Sequence, residues 1–199
     1  MAKDLDIVNL ALMKVGSEPI RSFDDDLKEA RLAKSFYSMV RDSELASYKW
    51  AFAVARAEIA PEPDKPTFGF KFSYRLPSDL LRLEKIVDAQ YHYDMRSYQT
   101  KSDDVYVIEG NKILTDIGPS LRIIYTRRVS DASDFPPTFV TALADRLAMT
   151  LCESLTQSNS KIEMLAAQYK ESIRAAKRNN DIQFGPSSIP DSGAILERL

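Results

Sequence analysis

Residues 48–61, YKWAFAVARAEIAP, decide how the rest of this sequence divides. The stretch contains the only tryptophan of the chain, Trp50, and it separates a long charged helical pattern from a segment that is rich in proline. No residue around Trp50 belongs to a recognisable catalytic motif. We therefore interpret the stretch as a packing or partner-binding junction between two differently patterned regions.

Two helices are predicted before this junction. The first covers residues 4–15, where apolar residues recur at helical spacing: Leu5, Val8, Leu12 and Val15. Gly16 follows where a left-handed C-cap ends a helix. The acidic run 24–26 predicts the start of the second helix, because negative charge is favourable at a helix N-terminus. This helix is predicted to run to about residue 47.

The period changes to that of strands after the junction. In FGFKFSY the aromatic residues alternate and predict a strand with one aromatic face: Phe68, Phe70, Phe72 and Tyr74. The sequence LPSDLL predicts a short helical turn capped by Ser78 or Asp79. Further strands are predicted at 83–87, 105–108, 113–114 and 121–125, with a turn at Gly110-Asn111 between the middle two. Arg122, Arg127 and Arg128 flank the last strand and are interpreted as charges that protect a solvated sheet edge.

Helical spacing returns after Pro136-Pro137. One apolar stripe runs from Phe139 to Leu155 and another from Ile162 to Ile173, and the short link between them predicts an antiparallel helix pair. The predicted fold is therefore α+β, mainly α: a four-helix body of two antiparallel helix pairs with an inserted antiparallel β-subdomain. Residues 1–60 and 131–180 form the two halves of the body, 61–130 the insertion, and 181–199 an extended C-terminal tail.

The bulk composition excludes several classes of protein. With a net charge of −2, the chain is no polycation, so any contact with nucleic acid must come from a local patch. A single cysteine, Cys152, excludes an intrachain disulfide and a site made of several cysteines. The N-terminus has neither the pattern of a signal peptide nor that of a membrane span, and no later apolar run reaches about 18 residues. We expect synthesis and use in the cytosol, or export by a non-secretory route.

Residues that could carry catalysis are few. His92 is the only histidine, and its surroundings favour a surface histidine over a catalytic one. Cys152 falls on the apolar face of a predicted helix, which indicates an inert core thiol. The acidic run 24–26 could hold a cation, but its place at a helix start explains it without a metal. The six glycines form no phosphate-binding loop. The lack of such motifs argues against an enzyme without excluding one, and a small enzyme that uses the carboxylates of residues 24–26 stays open as an alternative. We expect no cofactor or metal.

Basic residues cluster near the end of the last predicted helix: Lys170, Arg174, Lys177 and Arg178. Favourable interaction with the helix C-terminus explains them simply. A stripe that binds DNA or an acidic partner is the alternative, and the sequence leaves both open. The tail beyond this helix is unusually apolar and contributes further candidate interface residues: Phe184, Ile189, Ile195 and Leu196.

Several motifs occur in an order that resembles the tail tubular protein A, or head-to-tail connector, family of short-tailed bacteriophages and related prophages. The segments that carry the resemblance are GSEPI at 16–20, Trp50-x-Phe52, and YRLPSD at 74–79. The resemblance extends over about residues 9–155, whereas the last 45 or so residues match only in style.

The resemblance implies a structural virion protein without a catalytic role. Members of the family form a ring, expected to be dodecameric and built from chains that can be monomeric alone, which docks beneath the portal protein. The ring carries the tail nozzle or needle protein, and the genomic DNA passes through it without specific binding and without a membrane partner. Trp50 and Phe52 are then hypothesised to form a structural hinge that wedges the second helix against the root of the β-subdomain.

Overall fold

The computed structural model describes residues 3–87 and 105–184. This part of the chain contains four α-helices and two small antiparallel sheets of three strands, which confirms the predicted α+β, mainly α class. The helices are α1 (Asp4–Val15), α2 (Lys28–Ser47), α3 (Pro137–Thr156) and α4 (Asn159–Gln183). The strands are β1 (Val54–Ile59), β2 (Phe72–Arg75), β3 (Leu80–Ile86), β4 (Tyr106–Glu109), β5 (Lys112–Thr115) and β6 (Leu121–Arg127).

Helix α1 has the predicted bounds, and its end is fixed by two local features. Gly16 adopts φ 85, the left-handed conformation that glycine accepts without strain, and its N–H bonds to the carbonyls of the last turn. The following turn is held by Asn9, whose side-chain amide donates to the carbonyl of Ile20 and accepts from its N–H, both at 2.9 Å. The chain therefore reverses towards α2 in a defined direction.

Helix α2 begins at Lys28, later than the acidic run that was predicted to start it. Asp25 instead accepts hydrogen bonds from the backbone N–H groups of Arg21 and Ser22, which closes a turn before the helix. Glu29 is the acidic residue of the first helical turn. The prediction was thus correct for the helix and wrong for its first residues, because a short aspartate side chain also satisfies the backbone of a turn.

Helix α3 is central in the helical body. It packs against α1, α2 and α4, whereas α1 and α2 make little contact with each other. Its buried face includes Phe139, Leu143, Leu147 and Leu151, all at most 1% exposed. Cys152 lies on the same face and is fully buried, which confirms its assignment to the core.

The strands form two separate sheets. Sheet A has the order β1-β6-β3 and sheet B the order β2-β5-β4, all antiparallel. A second apolar core lies between them and includes Tyr74, Ile113, Leu121 and Ile123. The predicted turn between β4 and β5 is confirmed, with Gly110 at φ 57.

Four predictions about the β-rich part of the chain differ from the structure. Strand β1 was missed and lies in a part of the sequence that was assigned to the helical body. The aromatic strand is limited to β2, and Phe68 is 86% exposed, since β2 extends only as far as its partner β5. The expected helical turn at 76–81 is a tight turn from Pro77 into β3. Finally, β6 is the central strand of sheet A, so its arginines do not protect an edge.

Helix α4 continues to Gln183, three residues beyond its predicted end at 180, so the predicted tail boundary at 181 lies inside the helix. Phe184 is the last described residue, so the tail candidates Ile189, Ile195 and Leu196 lie outside the described residues, as does His92. Within the described residues no helix is long and apolar enough to cross a membrane.

Candidate partner interface at the end of the last helix

The C-terminal end of α4 is held against the junction that contains Trp50. The side-chain amide of Asn180 donates to the carbonyl of Lys49 at 2.9 Å and accepts from the N–H of Ala51 at 2.7 Å. Asn180 is only 6% exposed, so both of its bonds are shielded from water. An amide that donates and accepts in this way replaces two backbone partners and fixes the helix end to residues 49–51.

A second bond reinforces this attachment one residue further along. The hydroxyl of Tyr48 donates to Asp181 Oδ1 at 2.6 Å, and this hydrogen bond raises the pKa of the Tyr48 phenol. The ammonium of Lys177 makes a cation–π contact with the same ring, with its Nζ 4.8 Å from the ring centroid. The end of α4 is therefore held by contacts that do not involve residues 185–199.

Trp50 fills the space behind this attachment. Its ring is 1% exposed and lies edge-on to Phe139 of α3, with the ring centroids 4.9 Å apart, and Phe52 packs on the same ring of Phe139 at 4.9 Å. Trp50 Nε1 donates to the carbonyl of Glu44 at 3.0 Å. The two predicted hinge residues thus contact the end of α2 and the start of α3, and β1 begins at Val54. The hinge role itself stays a hypothesis.

A buried carboxylate lies beside the junction. Glu44 is 3% exposed, and its Oε2 accepts from the Tyr169 hydroxyl of α4 at 2.9 Å. Burial raises the pKa of the Glu44 carboxyl, although Tyr169 and the positive charges of Arg146 and Lys177 oppose the rise. Burial also raises the pKa of Tyr169, so its hydroxyl stays protonated and keeps donating. The pair links α2 to α4 on the inner side of the interface.

The outer surface of α4 is basic. Lys170, Arg174 and Arg178 are all exposed, and because they recur every four residues they lie along one side of the helix. Arg174 Nη1 lies 3.1 Å from Glu171 Oε1, an exposed pair of small energetic value. Three of the four predicted basic residues therefore share a solvent-facing surface, whereas Lys177 is half-buried beside Tyr48.

Exposed apolar side chains lie at the same helix end. Ile182 is 74% exposed and Phe184 is 43% exposed, and the Nζ of Lys49 lies 4.8 Å from the centroid of the Phe184 ring. A crevice of about 20 Å³ opens nearby between Trp50 and Gln183, which is room for about one water molecule and far less than a small-molecule ligand needs. We call Lys170, Arg174, Arg178, Ile182 and Phe184 the α4 end surface.

The sequence missed the residues that position this surface. Tyr48, Asn180 and Asp181 act through bonds between segments more than 120 residues apart, and no local pattern signals such contacts. The sequence did find Trp50, because a single tryptophan at a change of period is conspicuous.

The acidic run 24–26 has its own partners. Asp24 lies 2.6 Å from the Nζ of Lys34, and this hydrogen bond holds the pKa of Asp24 below its usual range. Asp26 lies 2.6 Å from Arg31. Among the described residues, no group of three or more histidine, cysteine, aspartate or glutamate side chains is placed to hold a metal ion.

Comparison with known proteins gives no assignment: the chain matches no family model and no curated protein.

Proposed function

We propose that the chain is a structural subunit of a short-tailed bacteriophage or prophage virion. Copies of it assemble into a ring below the portal protein, join the head to the tail nozzle or needle protein, and let the genome pass through the channel. In this proposal the protein has no catalytic role. It is present in the host cytoplasm during assembly and at the head-to-tail junction of the finished virion.

The observation that carries the proposal is the position of the motifs behind the resemblance. The first motif, residues 16–20, forms the reversal between α1 and α2: Gly16 ends the helix and Ile20 is bonded to Asn9 in both directions. The second, Trp50-x-Phe52, packs where α2, α3 and β1 meet. Residues at such junctions set the directions in which neighbouring helices and strands run. Proteins that share one architecture are therefore expected to have these motifs in the same order and at similar spacing.

The third motif, residues 74–79, connects the two sheets. Tyr74 belongs to β2 of sheet B, and its buried hydroxyl donates to the carbonyl of Ile117 at 2.7 Å. Asp79 lies at the start of β3 in sheet A, where its carboxylate accepts from Tyr125 at 3.2 Å and its carbonyl accepts from the N–H of Arg128. All three motifs thus fix junctions, which supports a shared architecture as the reason for the resemblance.

The surface and the charge of the protein fit the proposal. A ring of identical copies needs two different contact surfaces on each copy. The α4 end surface can supply one, because exposed apolar and basic side chains lie together there. A net charge of −2 suits a conduit, since a channel lined with many cations would retain DNA.

Protein analysis of purified virions tests the proposal. We expect the chain in particles that also contain the portal protein of the same genome, and we expect ring-shaped particles by electron microscopy when the two purified proteins are mixed. Deleting residues 185–199 is expected to abolish docking and to spare folding, because the anchor of α4 ends before this segment. Virions that lack the chain would refute the proposal.

A DNA-binding or regulatory module is the alternative, and it rests on the exposed basic row of α4. It predicts that the isolated protein binds duplex DNA with an affinity that falls steeply with salt. Replacing Arg174 and Arg178 together by Glu should then abolish binding, while Arg31→Glu, a change elsewhere on the surface, should have little effect. Virion incorporation without such DNA binding excludes this alternative.

A further inference from the structure

The edge strands of the two sheets differ in how well they are protected. In sheet A, β1 carries Arg56 and Glu58 at its exposed positions, and β3 has two register shifts and a bond from Arg82 to a backbone carbonyl of α2. In sheet B, the N–H of Glu62 donates to the carbonyl of Ser73, so this segment covers the outer side of β2. Charges, irregularities and covering segments all keep an edge from pairing with another chain.

Strand β4 has less protection from the described residues, since its one charged side chain, Glu109, lies at its last position. It pairs with β5 on one side only, and Tyr106 and Ile108 are 36% and 46% exposed. Ile108 is opposite Ile113, which in turn is opposite Tyr74, and the last two are fully buried. Paired residues of an antiparallel sheet lie on the same face. The buried apolar face of sheet B therefore continues onto an exposed edge strand.

The C-terminal segment of the chain has the chemistry to cover this edge. Of residues 185–199, the first nine contain two prolines and two glycines, whereas the last six, AILERL, contain neither. Only this final run offers an unbroken series of backbone donors for pairing with a strand. In an extended strand, alternate side chains point to opposite sides, so Leu196 would lie on one face and Ile195 and Leu199 on the other.

The segment is also long enough to reach another copy. Fifteen residues span at most about 50 Å when fully extended, and a domain of this size has a diameter of roughly 40 Å. Its starting point is fixed, because Asn180 and Tyr48 hold the end of α4 to the helical body. A segment that leaves one copy there can cross to the next copy in a ring.

We propose that residues 194–199 of one copy pair with β4 of the neighbouring copy and add a fourth strand to its sheet B. Tyr106 and Ile108 are then covered by the apolar side chains of the incoming segment. This inference rests on the proposed function, since it takes the neighbouring copy of the ring as the partner. In this arrangement the edge of sheet B is the second of the two contact surfaces that each copy needs in a ring.

Cysteine cross-linking between two different full-length variants tests the pairing. One variant carries Glu109→Cys at the end of β4 and the other carries Glu197→Cys, and the native Cys152 stays because it is fully buried. The variants are mixed, alone and with portal rings, and treated with a short bismaleimide. We expect a product that joins one copy of each variant, identified by its mass. Absence of this product in both conditions overturns the proposal.

A substitution on the strand face separates specific pairing from random collision. Adding Ile108→Lys to the Glu109→Cys variant is expected to lower the cross-linked fraction about tenfold or more, because a charge replaces an apolar contact. Phe68→Lys is the matched control, since Phe68 is apolar and exposed but lies outside the strand, and it should leave the yield unchanged. A yield that is insensitive to Ile108→Lys overturns the pairing. Rings that form without the cross-link overturn only the pairing, whereas absence from virions overturns the proposed function.

Discussion

Replacing Trp50 by Ala tests the junction between the helical body and sheet A. Trp50 is 1% exposed, and its ring contacts Tyr48, Phe52 and Phe139. Removing a packed tryptophan side chain from a core costs about 3–5 kcal/mol. The carbonyl of Glu44 also loses its bond from Trp50 Nε1 but keeps the one from the Ser47 hydroxyl at 2.8 Å, so this loss adds only about 1 kcal/mol.

The free energy of unfolding is therefore expected to fall by about 4–6 kcal/mol, a large part of the 5–15 kcal/mol that a domain of this kind possesses. Trp50→Phe keeps an aromatic ring in the site but loses the N–H group, so it should cost less than Trp50→Ala. Phe68→Ala is the control, because this aromatic side chain is 86% exposed and its removal should change stability by no more than about 0.5 kcal/mol.

Urea unfolding followed by far-ultraviolet circular dichroism measures these differences, since the substitution removes the only tryptophan and with it the fluorescence signal. We expect the folded variant to keep nearly all of its helix content. Ring formation with the portal protein, measured separately, should be impaired if Trp50 sets the angle of the junction. Instability without any effect on the ring would make Trp50 a space-filling residue. A variant that unfolds and assembles like the parent would refute the packing argument.

Three further substitutions test individual contacts. Glu44→Gln should leave stability unchanged near pH 4 and raise it at pH 7. Burial lifts the folded-state pKa of Glu44 above the roughly 4.3 of an unfolded chain, so the parent protein loses stability as the pH rises from 4 to 7. Urea unfolding at both pH values measures the difference, and a variant less stable than the parent at pH 7 would contradict the prediction. Lys14→Ala should lower the free energy of unfolding by about 3–5 kcal/mol, since it leaves the buried Asp145 without the ammonium 2.6 Å from its Oδ1. The double variant Lys14→Met with Asp145→Leu removes both charges and should lose far less stability. Equal losses of the two variants in thermal unfolding would refute this. Asn180→Ala should increase amide hydrogen exchange at Ala51 and in the last turn of α4, whereas the exposed Asn179→Ala should not.

The parts of the fold that could be predicted from sequence are those with local causes. The apolar period and Gly16 gave α1 with its observed bounds, and Gly110 gave the turn between β4 and β5. Strand β1 was missed because its inward positions include Ala55 and Ala57, small residues with little strand preference. The length of β2 was overestimated because aromatic alternation continues past its partner, and only pairing with β5 decides where the strand begins.

The candidate interface was predictable only as a set of surface residues. The helical spacing of Lys170, Arg174 and Arg178 was enough to place them on one side of a helix. The sequence could not show that Asn180 bonds to residues 49 and 51, because that contact arises from the packing of α4 against the junction. Nor could it show that β4 is an edge strand among the described residues, since edge and centre positions depend on the order of strands in a sheet.

The energetics of the proposed pairing suit a closed ring better than a pair of copies. Ordering six residues costs about 6–12 kcal/mol in backbone entropy. Burial of Ile195, Leu196 and Leu199 returns about 5–9 kcal/mol, and about four backbone hydrogen bonds with β4 add about 2–6 kcal/mol. These totals nearly cancel, so one pairing between two copies is weak.

In a ring, every copy both gives and receives a segment, and the last pairing closes within an existing assembly at a high effective concentration. The protein should then stay monomeric until the portal gathers its copies, and should assemble over a narrow range of concentration when it does. Sedimentation of the full-length protein at micromolar concentration measures this. Stable dimers in the absence of the portal would show that the pairing is stronger than the burial of three apolar side chains allows.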